Sequence, residues 1–459
     1  MHEWTEATDA LAVDVIAYAQ DRLRLDPVPL DRPRSPEELL AAVGNTITTD
    51  GIGGKEALRL FADVLAQACI SIDHPRYFSF IPCAPTPASS LFDLVVSASS
   101  LYGGSWMEGA GAVFAENQAL RWLADLAGFP DGAGGVFVQG GTLANVSALI
   151  AARHEARALR RAAGDGSEPR RWAVAASAEA HSSIHSAAAA MDVDLIAIEP
   201  GHDGRLAGPA LAAALRADRE GQTGREPFAV VATAGTTNLG VVDELASLAG
   251  VARAEGLWLH VDAAYGGAGL AAPSVRHLYE GIERADSFVV DPHKWLFAPF
   301  DCAALVYREP DKAKAAHSQH ASYLEPLHAG HDWSPSDYAL HLTRRARGLP
   351  FWFSLASYGT KAYSDAVERT LEVARYAAAA IEQRNELELV AEQVLSVVAF
   401  RRLGWDEEHY YSWSKTLLDA GEAFVVPTSH KGEVATRLAI VNPLSTEADV
   451  DFVLDSMRD

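Results

Sequence analysis

Cysteine is scarce in this sequence, and its spacing excludes two kinds of small-domain architecture. The 459 residues include three cysteines, Cys69, Cys83 and Cys302, an odd number at wide intervals. Such spacing suits neither a disulfide framework nor a zinc site. Because free cysteine is among the most often buried residue types, we expect these thiols to lie in the core or along a pocket wall.

Basic residues are few in comparison with acidic ones. Lysine and arginine total 38 against 61 aspartate and glutamate residues, which gives a formal net charge of -23. This charge repels phosphate backbones and anionic bilayers. The sequence contains no run of about 18 apolar residues, and its start lacks a basic segment followed by an apolar one. We therefore expect a cytoplasmic protein without nucleic-acid or membrane partners.

The composition is typical of a globular chain with more than one structural unit. Hydrophobic residues make up 49% and charged residues 22%, and the length exceeds that of one ordinary domain. Amphipathic helix patterns begin the chain, broken by a proline-rich stretch from Leu25 to Pro36, and hold too few apolar residues for a core of their own. We predict a helical N-terminal segment over 1–85, a large domain over 86–345 and a small domain over 346–459.

Strand and helix patterns alternate through the predicted large domain. Short apolar, β-branched runs predict strands at Val136–Val138, Ala173–Ala175, Leu195–Ile198, Ala229–Ala232, Leu257–Val261, Ser287–Val290 and Ala303–Tyr307. Such alternation implies right-handed crossovers and a mainly parallel sheet covered on both faces. Ligands of these sheets bind beyond the carboxyl ends of the strands, so polar residues directly after a strand are candidates for function.

The C-terminal part shows a different pattern. A long helical stretch from about Gly348 to Arg384 is followed by the strand-like runs Ser396–Phe400 and Arg437–Val441. The sequence therefore predicts a smaller α+β domain after the large one.

Two ionisable residues follow predicted strands of the large domain. Asp262 comes directly after an apolar strand, and Lys294 follows the next strand in the segment Asp291–Trp295. An aspartate at this place is often only a helix cap. Lysine, however, is rarely buried without a task, and an amine in apolar surroundings is suited to form an imine with an aldehyde cofactor.

This pair fits the chemistry of pyridoxal 5'-phosphate (PLP). PLP requires from a protein an imine-forming lysine, a carboxylate at the pyridine nitrogen, a phosphate cradle and a flat group against the ring. Lys294 and Asp262 are candidates for the first two requirements. His181 follows another strand and is the candidate for ring stacking, although a lone histidine is more often structural.

A glycine-containing turn is the candidate for the phosphate cradle. Gly141 and Thr142 follow a predicted strand and open a helix, where free backbone N–H groups and the positive helix end favour phosphate. A glycine pair alone is most often a simple turn. Thr237, beyond a further strand, is a candidate hydroxyl donor to the cofactor or the substrate carboxylate.

Five segments together resemble the group II PLP-dependent decarboxylases, which include the aromatic-L-amino-acid, tryptophan, histidine and glutamate decarboxylases. These segments are His74–Pro82, Gly104–Trp106, His181–Ser183, His260–Tyr265 and Pro292–Leu296, the last followed by Phe300–Cys302. The aromatic branch is the most similar. The resemblance implies an α/β protein of fold type I, the aspartate-aminotransferase-like fold. Its expected parts are a mainly parallel seven-stranded sheet, a small C-terminal α+β domain and an N-terminal helical segment that serves a homodimer.

The resemblance also implies roles for individual residues. Lys294 is expected to carry the cofactor, Asp262 to pair with the pyridine nitrogen and His181 to stack on the ring. The other expected cofactor-pocket residues are Gly141, Thr142, Thr237, Asp243, Ala264 and His293. The expected substrate wall consists of Phe80, Ile81, Pro82 and Trp106.

A tyrosine on a mobile loop returns a proton to the substrate carbon in this family. Tyr323 lies at the matching distance beyond Lys294, in a polar stretch over about residues 317–338 that is long enough to act as a lid. A phenylalanine at this position would resemble relatives that oxidise their substrates to aldehydes. Tyr323 therefore favours simple decarboxylation, against the alternative that it is a surface aromatic residue.

Three departures limit what the resemblance transfers. The animal aromatic enzymes commonly have asparagine where this chain has Asp291, and an unpaired carboxylate would repel a phosphate dianion. The pocket wall is altered, because Tyr102-Gly103-Gly104 replaces a bulky phenylalanine segment before Ser105. The stretch before Arg344 is shorter than in those enzymes.

The sequence thus predicts a PLP-dependent decarboxylase of a small-molecule L-amino acid. The apolar wall and the lack of a basic cluster favour an aromatic substrate such as tryptophan, tyrosine or phenylalanine. The alternatives are an aldehyde synthase, an aminotransferase or a carbon–carbon lyase of the same fold, and, more remotely, a non-catalytic interaction protein.

Overall fold

The computed structural model describes residues 2–165, 167–319 and 333–458. A seven-stranded sheet forms its centre. The strands are β1 Gly134–Val138, β2 Arg171–Ser177, β3 Asp194–Ile198, β4 Arg225–Thr233, β5 Trp258–Asp262, β6 Ser287–Val290 and β7 Ala303–Tyr307. Their order is β1-β7-β6-β5-β4-β2-β3. Among them β7 alone runs in the opposite direction, and it is antiparallel to both β1 and β6. The predicted mainly parallel seven-stranded sheet is confirmed.

The described residues form α-helices, some of which cover both faces of this sheet. They are α1 Glu6–Leu23, α2 Pro36–Val43, α3 Gly54–Leu60, α4 Pro87–Ala98, α5 Trp106–Leu126, α6 Gly141–Ala162, α7 Ser182–Ala190, α8 Gly208–Glu220, α9 Leu245–Glu255, α10 Pro292–Trp295, α11 Pro310–His317, α12 Leu349–Tyr358, α13 Thr360–Glu382, α14 Glu407–Asp419 and α15 Glu447–Asp455. Successive strand residues point to opposite faces: Val230 packs in the core beneath α5, α8 and α9, and Val231 in the core beneath α6 and α7. None of the described helices has both the length and the apolarity that crossing a bilayer requires.

A second, antiparallel sheet follows the first. Its strands are β8 Leu387–Leu389, β9 Val397–Arg402, β10 Pro427–His430 and β11 Glu433–Ala439, in the order β10-β11-β9-β8. Only β9 and β11 were anticipated by the sequence pattern, because β8 is short and β10 has no apolar alternation. The helix predicted over 348–384 is wrong as a single element. It breaks into α12 and α13 at Gly359, whose φ of 79° is a left-handed conformation that glycine adopts readily.

The N-terminal helices bury little of their own apolar surface. Neither α1 nor α2 contains a buried residue, and Val13 and Leu40 are 67% and 68% exposed. The predicted lack of an independent core in this segment therefore matches its packing, while the proposed domain boundaries stay a prediction.

The cysteine prediction is correct for two residues of three. Cys83 and Cys302 are buried free thiols, and burial raises the pKa of both, whereas Cys69 is exposed. Cys69 lies at the end of a short helical turn in the thinly packed N-terminal part, where the chain has too few apolar neighbours to cover it.

A buried ion pair joins α5 to the segment that enters α12. The Arg344 guanidinium donates two hydrogen bonds of 2.7 Å to the Glu116 carboxylate, and both side chains are buried. Glu116 also accepts from the Gly348 N–H at 2.8 Å, and Arg344 donates to the Gly103 carbonyl at 2.7 Å. Each charge is thus compensated inside the core, and loss of one partner would leave the other without compensation.

Replacing Arg344 by methionine is expected to lower the free energy of unfolding by about 3–5 kcal/mol, because Glu116 would remain buried without a counter-charge. Urea unfolding followed by circular dichroism measures the change. The control is Arg369→Met, which removes a partly exposed bidentate pair with Glu447 and is expected to cost at most about 1 kcal/mol. Equal losses in the two variants would contradict this account.

Candidate active site

One cavity of about 360 Å³ lies at the edge of the large sheet where the parallel strands end. The segments at or after the carboxyl ends of β1, β2, β4, β5 and β6 contribute its lining. This is the edge at which parallel sheets bind ligands. The polarity of the strands therefore brings together residues that are far apart in the sequence.

The amino end of α6 forms one wall of the cavity. Gly140 precedes the helix and has no side chain to cap it, so backbone N–H groups of the first turn beyond Gly141 are available to a ligand. A Cβ atom at Gly141 would lie 3.1 Å from both the Ala264 Cβ and the Asp291 Oδ2. Glycine at this position lets the helix approach the neighbouring segments closely.

Lys294 lies on the short helix α10 and faces an acid. Its Nζ is 3.0 Å from the Asp291 Oδ2, which also accepts from the Gly141 N–H at 3.3 Å. His293 Nε2 lies 3.5 Å from the same oxygen, and His293 Nδ1 accepts from the Cys302 N–H. Burial lowers the pKa of His293. Asp291 thus turns into the cavity and pairs with Lys294.

Asp262 ends β5 and is 5% exposed. Its Oδ2 accepts a hydrogen bond of 2.9 Å from Asn145 Nδ2, and its Oδ1 accepts from the Ala264 N–H at 3.1 Å. Asn145 Nδ2 also lies 2.9 Å from Ser183 Oγ, which in turn lies 2.9 Å from His181 Nδ1. Hydrogen bonds to the ionised form stabilise a buried carboxylate, and these donors leave Asp262 as an acceptor facing the cavity.

The structure brings most of the predicted residues into this cavity. The eight predicted cofactor-pocket residues that line it are Gly141, Thr142, His181, Thr237, Asp262, Ala264, His293 and Lys294. Tyr323 lies outside the described residues. The predicted substrate wall of Phe80, Ile81, Pro82 and Trp106 does not contribute to the lining of this single chain, and its role stays a prediction.

Asp243 does not line the cavity, contrary to the expectation from the resemblance. Its carboxylate accepts from the Leu206 and Thr233 N–H groups at 2.8 and 2.7 Å. Burial raises the pKa of Asp243 to about 7. The residue ties the end of β4 to the segment before α8, which is a structural role.

Several polar or aromatic residues of the site were given no role from the sequence, among them Asn145, Phe300 and His260. Asn145 and Phe300 line the cavity, and His260 lies behind Asp262. Helical spacing could have identified Asn145, because it lies one turn after Gly141 on the same helix face. Likewise His260 and Asp262 are two residues apart on one strand and point to the same side.

Comparisons with known proteins agree with this geometry. A model of the pyridoxal-dependent decarboxylase conserved domain matches residues 54–403. An aromatic-L-amino-acid decarboxylase of Bacillus atrophaeus is 28% identical over 96% of this chain and 92% of its own length. An L-2,4-diaminobutyrate decarboxylase of Rhizobium meliloti is 34% identical over 89% of this chain and 82% of its own.

A solved structure shares the whole architecture. Oryza sativa TDC with PLP and tryptamine superposes with a TM-score of 0.89 and 26% identity, over 100% of this chain and 99% of that one. The predicted fold type I and the predicted PLP dependence are confirmed. The protein is an enzyme, a PLP-dependent carboxy-lyase acting on an amino acid, and it belongs to the pyridoxal-dependent decarboxylase family.

Proposed function

We propose that this enzyme decarboxylates an aromatic L-amino acid and that the cavity at the sheet edge is its active site. The observation that carries the proposal is the meeting of Lys294, Asp262 and the open amino end of α6 in one cavity of about 360 Å³. An amine, an acid and an anion-binding helix end match the three polar ends of PLP.

The residues of the cavity fit this cofactor. Besides the free N–H groups of α6, the buried hydroxyl of Thr233 has no hydrogen-bond partner among the described residues, and it lines the cavity. A polar ligand would supply that partner. When bound, PLP supplies the electron sink for the bond that breaks at the substrate Cα.

Each proposed role follows from the chemistry of its side chain. Lys294 would hold the cofactor through its amine. Asp262, an acceptor supported by two donors, would pair with the pyridine nitrogen. His181 would contact the ring, and Gly141 and Thr142 would hold the phosphate. Thr237, Ala264 and His293 complete the wall.

The substrate side of the cavity supports an aromatic side chain. Phe300 lines the cavity, is 55% exposed and lies with its ring centroid 4.9 Å from that of His293. An exposed flat ring at a pocket mouth is suited to contact another ring. The acids of the lining, Asp262 and Asp291, already accept hydrogen bonds from Asn145 and from the Gly141 N–H. We infer that Phe80, Ile81, Pro82 and Trp106 extend this wall beyond the single-chain cavity.

A substrate with a cationic side chain is the second candidate. The relative that acts on L-2,4-diaminobutyrate shares 34% identity with this chain, more than the Bacillus atrophaeus aromatic enzyme does. Such a substrate would need a free acid at the far end of the cavity. Both acids of the lining already accept from other groups, Asp262 from Asn145 and the Ala264 N–H and Asp291 from the Gly141 N–H, which favours the aromatic alternative.

The exposed apolar surface supports a homodimer. Leu94 on α4 and Met107 and Phe114 on α5 are all more than half exposed, as is Val13 on α1. Burying such surface against a second copy is favourable. Sedimentation equilibrium is expected to give about twice the chain mass of 49.1 kDa, and a concentration-independent single-chain mass would contradict the dimer.

A substrate survey tests the proposed function. Purified enzyme with PLP is incubated separately with tryptophan, tyrosine, phenylalanine, 2,4-diaminobutyrate, histidine and glutamate, and carbon dioxide and amine are measured. We expect the aromatic substrates to give the highest kcat/KM, with equal amounts of amine and carbon dioxide. Preference for diaminobutyrate would favour the second candidate, and a keto acid or aldehyde as main product would overturn the reaction class.

Two variants test the residue roles in the same assay. Lys294→Ala is expected to lose nearly all turnover and to lose covalent fixation of PLP by borohydride; fixation that persists would disprove the lysine assignment.

We propose that Tyr323 returns the proton to the substrate carbon. Tyr323→Phe is therefore expected to divert product from amine to aldehyde with oxygen uptake, and unchanged amine formation would refute that role.

Asp291→Asn is expected to tighten PLP binding about tenfold or more. In the native chain the carboxylate lies against the Gly141 N–H, and charge repulsion with a phosphate dianion at these amides costs several kcal/mol at close range in a partly buried site. Equilibrium binding to apoenzyme measures the change. Pyridoxal without phosphate is the control, and an equal gain for both ligands would contradict a phosphate-specific effect.

A further inference from the structure

A chain of hydrogen bonds runs through the interior of the sheet to the Asp262 carboxylate. It begins at Trp258 Nε1, which lies 2.8 Å from Ser287 Oγ, and Ser287 Oγ lies 2.8 Å from His260 Nδ1. His260 Nε2 is 2.9 Å from Asn145 Oδ1. All of these side chains are buried, so each hydrogen bond is made without competition from bulk water.

The chain branches at Asn145. Its Nδ2 lies 2.9 Å from Asp262 Oδ2 and 2.9 Å from Ser183 Oγ. Ser183 Oγ and the Ser183 N–H both lie within hydrogen-bond distance of His181 Nδ1, at 2.9 and 3.1 Å. One amide therefore contacts the acid directly and the cavity-lining imidazole through one hydroxyl.

The direction of every bond in this chain follows from its two ends. An indole N–H can only donate and an ionised carboxylate can only accept. Asn145 must therefore turn its NH₂ toward Asp262, which leaves its Oδ1 to accept from His260. Then His260 carries its proton on Nε2, and its Nδ1 accepts from Ser287, whose oxygen accepts from Trp258. Burial lowers the pKa of His260 to about 4, in keeping with this neutral tautomer.

We propose that Asn145 and His260 are positioning residues that keep Asp262 an ionised acceptor and hold His181 in a single tautomer against the cofactor ring. The inference rests on the proposed contact between Asp262 and the pyridine nitrogen. His260 acts through Asn145: rotation of the amide would set its NH₂ against the His260 Nε2–H and its oxygen against the carboxylate.

Under this proposal, the network determines whether one proton lies on the pyridine nitrogen of the cofactor or on the Asp262 carboxylate. A carboxylate that accepts from Asn145 is a weaker base than one without this donor. With the donor in place, a proton shared between Asp262 and the pyridine nitrogen would stay on the ring. Without the donor, Asp262 would hold that proton and the ring would be neutral, which would weaken its capacity to accept electrons.

Nitrogen NMR of the holoenzyme measures this proton directly. PLP labelled with ¹⁵N in the ring is bound to wild-type enzyme and to three variants, and the ¹⁵N shift distinguishes a protonated from a neutral ring. Asn145→Asp replaces the donor by a second carboxyl, and His260→Leu removes the Nε2–H. His260→Gln places an amide N–H near the position of Nε2 and serves as the conservative rescue.

We expect wild type and His260→Gln to show a protonated ring. Asn145→Asp and His260→Leu are expected to lower the ratio of protonated to neutral ring about tenfold or more, which corresponds to about one pKa unit. In steady-state kinetics kcat is expected to fall in these two variants while KM changes little, because substrate contacts remain.

Tyr307→Phe is the matched control. It removes one buried hydrogen bond of 3.0 Å to the Tyr338 carbonyl, and its ring stays against Trp258, outside the cavity lining. A wild-type ¹⁵N shift is expected. A shift toward the neutral ring in this control would mean that general loosening of the core is responsible, which would overturn the proposal.

The outcomes separate this inference from the one on which it rests. A protonated ring in Asn145→Asp overturns the role of Asn145, and a protonated ring in His260→Leu overturns the role of His260. A protonated ring in Asp262→Asn as well would instead disprove the contact between Asp262 and the ring nitrogen. Should His260→Leu fail to fold, Asn145→Asp, which preserves side-chain size, decides the question alone.

Discussion

The buried carboxylate of Asp262 is the group on which the rest of the cavity depends. A charge at 5% exposure is costly unless donors surround it, and Asn145 and the Ala264 N–H provide those donors. Since the Asn145 amide also reaches Ser183, the group that stabilises the acid also orients His181. The base of the cavity and its wall are therefore coupled, and a change in one alters the other.

At the opposite end of the cavity, groups that attract anions lie beside an acidic side chain. The amino end of α6 and the Lys294 ammonium both attract anions, and the Asp291 carboxylate already meets both of them. A phosphate at the same amides must share this site with a resident acid. With the proposed placing of the phosphate, cofactor affinity would depend on how well the charge of Asp291 is compensated, which a neutral asparagine would not require.

The pattern of apolar runs was sufficient to predict every strand of the large sheet, because most of those strands are buried on both faces and read as short continuous apolar segments. It was not sufficient for β8 and β10, which have little apolar alternation, nor for the break at Gly359, where the apolar pattern continues through a left-handed glycine. At the site, residues directly after strands were predictable from strand polarity. Asp243 was misplaced because its carboxylate turns to backbone amides instead of the cavity.

The sequence by itself determined the strand polarity, and hence that Gly141, His181, Asp262 and Lys294 meet at one sheet edge, since the carboxyl ends of parallel strands lie together. Only the tertiary structure decided which partners these residues have. The contact between Asn145 and His260, 115 positions apart, depends on the placing of β5 beneath α6 to within an ångström. Hydrogen bonds require that precision, and periodicity along a chain does not contain it.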